Sequence, residues 1–182
     1  MRLIKIGIGN VNPTVGAFKA NVDAILEQVR EMAAAGCHVA AFGELSISGY
    51  PCEDLVQWAS FVDRQGVELG RLVHELDNDD TRNMTVVVGL TVPLDGNLYN
   101  VAALIASGRV VGLVPKENLP DYGVFYEGRT VTSGMIGMHD ILELYAQYPT
   151  VDQASLIAQA GSRGAALGAQ INALATSGPA VV

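Results

Sequence analysis

Hydrophobic residues along this chain form short continuous runs that are separated by longer stretches in which they recur at helical spacing. Continuous runs predict buried strands, and a recurrence every three to four residues predicts amphipathic helices. The predicted strands are 3–8, 38–42, 84–92, 98–106 and 109–114, with a hairpin turn at Ser107-Gly108 joining the last two. The predicted helices are 17–35, which Gly36 ends, and 53–76. Two strand–helix–strand units followed by a hairpin predict an α/β fold with a mixed sheet.

Composition and charge narrow the class of protein. Hydrophobic residues make up 49% of the 182 residues and charged residues 16%, which is typical of a globular chain. The net charge is -8 and the lysines and arginines are scattered, so we expect no nucleic-acid partner. No apolar run reaches the roughly 20 residues of a membrane span, and the first ten residues lack a signal-peptide pattern. We therefore expect a cytoplasmic protein with no membrane partner.

Neither the cysteines nor the first glycines predict a metal or a cofactor. Cys37 and Cys52 are too few for a disulfide framework, and they lack the spacing of a metal site. Gly7-Ile8-Gly9 follows a strand, but it lacks the third glycine and the immediate helix start of a dinucleotide-binding loop. We expect reduced thiols, no bound metal and no cofactor.

Two charged residues follow predicted strands at positions where α/β sheets bind ligands. Glu44 comes after the strand 38–42, and Lys116 comes after the strand 109–114. A dry wall behind a carboxylate raises its pKa toward the range of a general base, and a neighbouring lysine stabilises an oxyanion. The alternative is that both residues are ordinary solvated side chains at strand ends, and spacing alone favours that alternative.

Four segments of the chain together resemble the nitrilase superfamily, and within it the N-terminal glutaminase domain of glutamine-dependent NAD synthetases. They are NPTVGAFKANVDAILEQVREMAAAGCHVAAFGELSISGYPCEDLV, VVVGL, LYNVAALIASGRVVG and PKENLPDYGVFYEGR. The resemblance covers residues 2–129, while 130–182 reads as a divergent and mostly helical tail. It implies a partial nitrilase-like αββα sandwich, with the tail attached at its C-terminal side.

The resemblance also implies roles for individual residues. Members of that family hydrolyse the side-chain amide of glutamine with a Glu-Lys-Cys triad, which places the general base on Glu44 and the stabilising cation on Lys116. Three further residues fall where the family shapes its glutamine pocket, namely Tyr122, Phe125 and Glu127. The family nucleophile lies downstream of the lysine, but no cysteine follows Cys52 in this sequence. We also expect the family's synthetase domain to be absent.

Surrogate nucleophiles are few. Cys52 lies near the presumed site, and at the start of a helix its pKa is expected to fall, although such a residue more often fills an apolar gap. Hydroxyls are poorer nucleophiles without a histidine relay, and no relay is recognisable. The hydroxyl candidates are Thr132, Ser133 and Ser155. The histidines are His38, His74 and His139.

Three hypotheses remain open. The first is a truncated or remodelled glutaminase-type domain that is inactive alone and has an assembly or interaction role, with a homo-oligomer expected and glutamine as a possible ligand. The second is an active carbon-nitrogen hydrolase that uses Glu44, Lys116 and Cys52. The third is a subunit that works with a separate synthetase-type partner carrying the missing nucleophile.

Overall fold

The structure is a computed structural model that describes residues 3–94 and 96–134. Its strands are β1 (Ile6–Gly9), β2 (Val39–Phe42), β3 (Thr85–Leu94), β4 (Asn97–Ala106) and β5 (Arg109–Pro115). Its longer helices are α1 (Phe18–Ala34) and α2 (Ala59–Glu75), and two 3-10 turns span Glu53–Gln57 and Glu127–Arg129. This order confirms the α/β class that the hydrophobic pattern predicts. The predicted helices of the tail lie outside the described residues.

The five strands form one mixed sheet in the order β1-β2-β3-β4-β5. β1, β2 and β3 run parallel, whereas β4 and β5 add as antiparallel neighbours. The crossovers through α1 and α2 step in the same direction along the sheet, and right-handed crossovers therefore place both helices on one face. The predicted hairpin turn is confirmed, because Ser107 and Gly108 both have positive φ, as a two-residue type I′ turn requires.

The core lies between the two helices and the face of the sheet that they cover. Alternate residues of β3 are almost completely buried there, and they pack with the apolar stripes of α1 and α2. These β3 residues are Val86, Val88, Leu90 and Val92. Across the two helices, Arg71 pairs with Asp23 at 2.9 Å, and the rings of Phe18 and Phe61 meet edge to face.

The first strand differs from its prediction. A buried strand was predicted over 3–8, but β1 begins at Ile6, and the side chains of Ile6 and Ile8 are 59% and 74% exposed. The reason is that β1 is an edge strand whose second face is not covered by the described residues. An apolar strip on that face therefore remains open to solvent.

The helix predicted over 53–76 begins late. Glu53–Gln57 forms a 3-10 turn, and α2 starts only at Ala59. Glu53 has a positive φ and Trp58 is extended, so neither residue can belong to a continuous α-helix. The turn instead buries Cys52 and Val56 in the core.

Candidate functional site

Glu44 is carried by a segment that leaves β2 and lies across β3. The Ile47 N–H donates to the Gly89 carbonyl at 3.2 Å, and the Gly89 N–H donates to Ser46 Oγ at 3.1 Å. A Cβ at Gly89 would lie 2.3 Å from the backbone nitrogen of Leu45, so a glycine is required for this close approach. The crossing segment brings Glu44 toward β4 and β5, although β2 itself is separated from β5 by two strands.

Lys116 follows β5 directly and is held through its backbone. Its N–H donates to the carbonyl of Asn100 on β4 at 2.8 Å, and its own carbonyl accepts from the Gly134 N–H at 2.8 Å. β5 is antiparallel to β4, which is antiparallel to β3, so Lys116 lies at the same edge of the sheet as Glu44. The two candidate residues therefore meet at the edge where ligands bind in α/β folds.

The Lys116 ammonium lies between two carboxylates. Its Nζ is 2.8 Å from Oε1 of Glu44 and 2.9 Å from Oε2 of Glu127. Burial alone would lower the pKa of Lys116, but the hydrogen bonds to Glu127 and Glu44 outweigh it and raise that pKa above its usual range. Lys116 therefore stays cationic at neutral pH, as an oxyanion-stabilising residue must.

Glu44 is less enclosed than the sequence suggested. Its side chain is 38% exposed, so the expected dry wall is only partial. Its Oε1 accepts from Lys116 Nζ and from Asn100 Nδ2. Both hydrogen bonds use Oε1. The second carboxylate oxygen of Glu44, Oε2, is therefore free of these two contacts and is the oxygen that can accept a proton.

Glu127 is positioned by the 3-10 turn of which it is the first residue and by the loop before that turn. Its N–H donates to the Pro120 carbonyl at 3.2 Å, and the next charged residue, Arg129, pairs with Asp54 at 2.8 Å. The hydroxyl of Tyr50 donates to Glu127 Oε1 at 3.3 Å. Burial and the nearby carboxylates raise the pKa of Tyr50, so the phenol remains protonated and can act as a donor.

A cleft of roughly 430 Å³ adjoins this cluster. It is reached by Glu127 and Asn100, and its wall also contains Phe125, which was predicted to shape the ligand pocket. Tyr122 contacts the ring of Phe125 edge to face, with centroids 5.6 Å apart, but it is 69% exposed and is not part of the wall. The volume falls in the range of small-molecule sites in proteins.

Cys52 lines the same cleft, but its thiol is not prepared for attack. The residue is 3% exposed, and its Sγ donates to the Gly49 carbonyl at 2.7 Å. Burial raises the pKa of Cys52, and the hydrogen bond to Ser48 opposes this only in part. The prediction that a position at a helix start lowers the pKa of Cys52 is therefore wrong. The alternative, in which Cys52 fills an apolar gap, agrees with its place in the core.

The other surrogate candidates are engaged elsewhere or lie outside the described residues. Thr132 Oγ1 contacts Asn97 Oδ1 at 3.3 Å, and Ser133 Oγ donates to the Glu117 carbonyl. His38 precedes β2 and accepts from the Lys5 N–H, so it lies at the opposite end of that strand from Glu44. Ser155 and His139 fall in the part of the chain that is not described. Within 3–94 and 96–134, no histidine relay joins a hydroxyl.

Two residues of this site were missed at the level of sequence. Asn100 joins Glu44, and Tyr50 reaches Glu127. Asn100 carried a usable signal, because an asparagine within the apolar run LYNVAALIA must find a partner once it is buried.

Within the described part of the chain, no cluster of three metal-type side chains occurs. None of the helices described there is long and apolar enough to cross a membrane.

Comparison with known proteins gives the family context of this geometry. The family model described as carbon-nitrogen hydrolase matches residues 5–171, which continues past Arg129 into the tail. The glutamine-dependent NAD(+) synthetase of Thermotoga maritima is 33% identical over 136 residues, covering 74% of this chain and 23% of the relative. That of Aquifex aeolicus is 35% identical over 133 residues, covering 72% and 22%. The chain thus spans less than a quarter of these relatives.

Solved structures agree with the predicted nitrilase-like fold. The glutamine-dependent NAD(+) synthetase of Cytophaga hutchinsonii matches with a TM-score of 0.66 and 31% identity, covering 71% of this chain and 22% of that one. An amidase from Nesterenkonia sp. matches with a TM-score of 0.58 and 19% identity, covering 72% and 48%. At that identity the amidase supports the fold alone.

Proposed function

Because this chain belongs to the carbon-nitrogen hydrolase family, we propose that it carries the acid–base half of a glutaminase-type site. In this proposal it binds a primary carboxamide such as the side chain of glutamine, and it does not hydrolyse that amide alone. The observation that carries the proposal is the position of Lys116 Nζ, 2.8 Å from Glu44 and 2.9 Å from Glu127.

The three charged groups match the polarity of a carboxamide. The amide oxygen accepts hydrogen bonds, as it would from the Lys116 ammonium, and the amide nitrogen donates them, as it would to carboxylate oxygens. The adjoining cleft has room for a ligand of amino-acid size, and Phe125 supplies apolar surface in its wall. Ion pairs at a strand edge also occur in purely structural roles, so binding is the property to measure.

Hydrolysis would proceed through a thiol whose proton passes to Glu44. The resulting thiolate attacks the amide carbon, Lys116 stabilises the oxyanion, and the C–N bond breaks as the leaving nitrogen takes the proton from Glu44 and departs as ammonia. Water then hydrolyses the thioester and restores the thiol. Each of these steps except the first attack uses residues that this chain supplies.

The two thiols of this sequence are poor candidates for that attack. Cys52 is buried and hydrogen-bonded to a backbone carbonyl, and Cys37 precedes β2 at the end opposite Glu44. We therefore place the nucleophile outside this sequence, on another segment or another chain. An assembly role accompanies this proposal, since the uncovered face of β1 carries Ile6 and Ile8. A second copy of the chain or a synthetase-type partner would cover that face.

The test combines calorimetric binding of L-glutamine with ammonia release by the purified chain. We expect the wild-type chain to bind glutamine, Glu44→Gln and Lys116→Ala to bind it at least tenfold more weakly, and none of the three to release ammonia. Glu31→Gln, an exposed change on α1, is the matched control and should bind as the wild type does. Absence of glutamine binding by the wild-type chain would reject the proposed site.

Ammonia release that depends on Glu44 would instead support the active-hydrolase alternative. Loss of that activity in Cys52→Ala would identify Cys52 as the nucleophile. The assembly role is tested separately by the mass of the chain in solution from light scattering. We expect a dimer or larger species, and a well-behaved monomer across the concentration range would contradict an assembly of identical copies.

A further inference from the structure

Asn100 is a buried polar residue in the middle of an apolar strand. It is 6% exposed, and its neighbours Val101 and Ala103 on β4 belong to the core. A buried amide is costly unless its donors and acceptors are satisfied. The contacts that satisfy Asn100 therefore indicate why this position carries an amide.

Asn100 contacts both members of the candidate pair. Its side-chain Nδ2 donates to Oε1 of Glu44, and its backbone carbonyl accepts from the N–H of Lys116 at 2.8 Å. Glu44 and Lys116 come from segments 72 residues apart, so one residue of β4 fixes two distant parts of the chain relative to each other. The same Oε1 of Glu44 also accepts from Lys116 Nζ.

The backbone around Asn100 is itself held by α2. Asn100 lies opposite Thr91 in the β3–β4 register. Gln65, which is fully buried on α2, accepts from the Thr91 N–H at 2.9 Å and donates to Thr91 Oγ1 at 2.7 Å. A side chain on a strand that is anchored in this way has little freedom to move, which suits a residue that orients another.

We propose that Asn100 is a positioning residue that commits Oε1 of Glu44 to the ion pair with Lys116 and so leaves Oε2 as the oxygen that accepts a proton. This inference rests on the proposed function, because it assigns Glu44 the role of general base. The amide suits the task because it donates to a carboxylate without adding charge. An apolar residue at the same place would release Glu44.

The test measures how fast the Lys116 amine is acetylated, and it requires neither turnover nor glutamine. Competitive acetylation with acetic anhydride at pH 8, followed by mass spectrometry, measures the neutral fraction of each lysine, and the rate changes about tenfold for each unit of pKa. Lys5 and Lys19, the other lysines of the sequence, are internal references. The groups that face Lys116 Nζ are Glu44 and Glu127, with Tyr50 bonded to Glu127.

Asn100→Leu and Asn100→Asp should move the labelling rate of Lys116 in opposite directions. In Asn100→Leu the Glu44 carboxylate is released, the ammonium loses part of its stabilisation, and Lys116 should label about three- to tenfold faster. In the nearly isosteric Asn100→Asp a further negative charge joins the cluster, and Lys116 should label more slowly than in the wild type. Glu44→Gln sets the upper limit for the increase.

Asn97→Leu is the matched control, because Asn97 lies on the same strand and its side chain contacts Thr132 and not Glu44. Its Lys116 labelling rate should equal that of the wild type. Three results would overturn the proposal: an unchanged or slower rate in Asn100→Leu, a shift in the same direction in both Asn100 variants, or an equal shift in Asn97→Leu.

If Asn100→Leu does not fold, Asn100→Asp alone is the test, and faster labelling of Lys116 in that variant would reject the positioning role of Asn100. Failure of glutamine binding leaves this readout intact, so a failure of the proposed function can be told apart from a failure of this inference.

Discussion

The ammonium of Lys116 lies 2.9 Å from Oε2 and 3.1 Å from Oε1 of Glu127, a residue eleven positions further along the chain. Both side chains are largely enclosed, at 27% and 13% exposure. The contact therefore fixes the loop that bears Tyr122 and Phe125 to the end of β5. Glu127 was predicted to shape the ligand pocket, and its contact with Lys116 gives it a further role in holding the cation.

Glu127→Gln removes the charge from this contact while keeping its shape. We expect the free energy of unfolding to fall by about 1–3 kcal/mol, since a hydrogen bond between charged groups is replaced by a weaker one. Urea denaturation at pH 7 measures this change. Glu117→Gln is the control, because Glu117 is exposed and its side chain makes no ion pair among the described residues. An equal fall in the free energy of unfolding in the two variants would contradict a stabilising contact between Glu127 and Lys116.

The same contact predicts a pH dependence of stability. Because the folded-state pKa of Lys116 is raised above the ordinary value of 10.5, its stabilisation is fully present below pH 10.5 and is lost as the pH rises through the folded value. The stability difference between wild type and Glu127→Gln should thus be constant from pH 7 up to the ordinary pKa of 10.5 and should shrink only above it. A difference that disappears already at pH 8 would not fit a raised pKa.

Gly89→Ala tests the crossing segment. The added Cβ would lie 2.3 Å from Leu45 N and 2.8 Å from the Gly43 carbonyl oxygen, so the segment that carries Glu44 must move. We expect a loss of about 1–3 kcal/mol in stability and a clear loss of glutamine binding. Gly112→Ala on β5, where nothing lies within 4 Å of the added Cβ, is the control for a strand glycine. Binding that survives in Gly89→Ala would show that Glu44 does not depend on this close approach.

Gln65→Leu tests the anchor between α2 and β3. The change leaves the N–H and hydroxyl of Thr91 without their partner in a buried place, and each unsatisfied group costs about 1–3 kcal/mol. The unfolding midpoint in urea should therefore fall well below that of the wild type. Gln57→Leu, at an exposed position of the 3-10 turn, should change the midpoint little. A small effect in Gln65→Leu would mean that water replaces the lost amide.

Cys52 should be the slower of the two thiols. Burial raises its pKa, so it is fully protonated at neutral pH, and its sulfur is enclosed, whereas Cys37 is partly exposed. Iodoacetamide at pH 7.5 should modify Cys37 first, and Cys52 should react at the same rate only after the chain is unfolded in urea. Peptide mass spectrometry separates the two sites. Equal rates of modification of Cys37 and Cys52 in the folded protein would support Cys52 as a nucleophile.

Sequence patterns predicted what depends on local periodicity. The strand and helix order and the turn at Ser107-Gly108 follow from spacing. The approach of Glu44 to Lys116 was implied by the family resemblance, whereas spacing alone favoured two ordinary solvated side chains. The exposure of Ile6 and Ile8 did not follow from spacing, because an apolar run does not tell which of its faces other parts of the protein cover.

The details that sequence did not predict arise from contacts between distant residues. The crossing of residues 43–48 over β3 depends on the absence of a side chain at Gly89, and the partner of Asn100 lies 56 residues away. The raised pKa of Cys52 depends on how the turn after Pro51 is buried. Such burial and pairing are set by tertiary packing, which no window of the sequence contains.

The strand order β1-β2-β3-β4-β5 has a consequence for how the molecule forms. Each strand pairs with the one synthesised just before it, so the sheet can grow in the order of translation. The Glu44–Lys116 pair is different, because it closes a span of 72 residues and requires β5 to be in place. The candidate site therefore comes together only after the residues of all five strands have been synthesised.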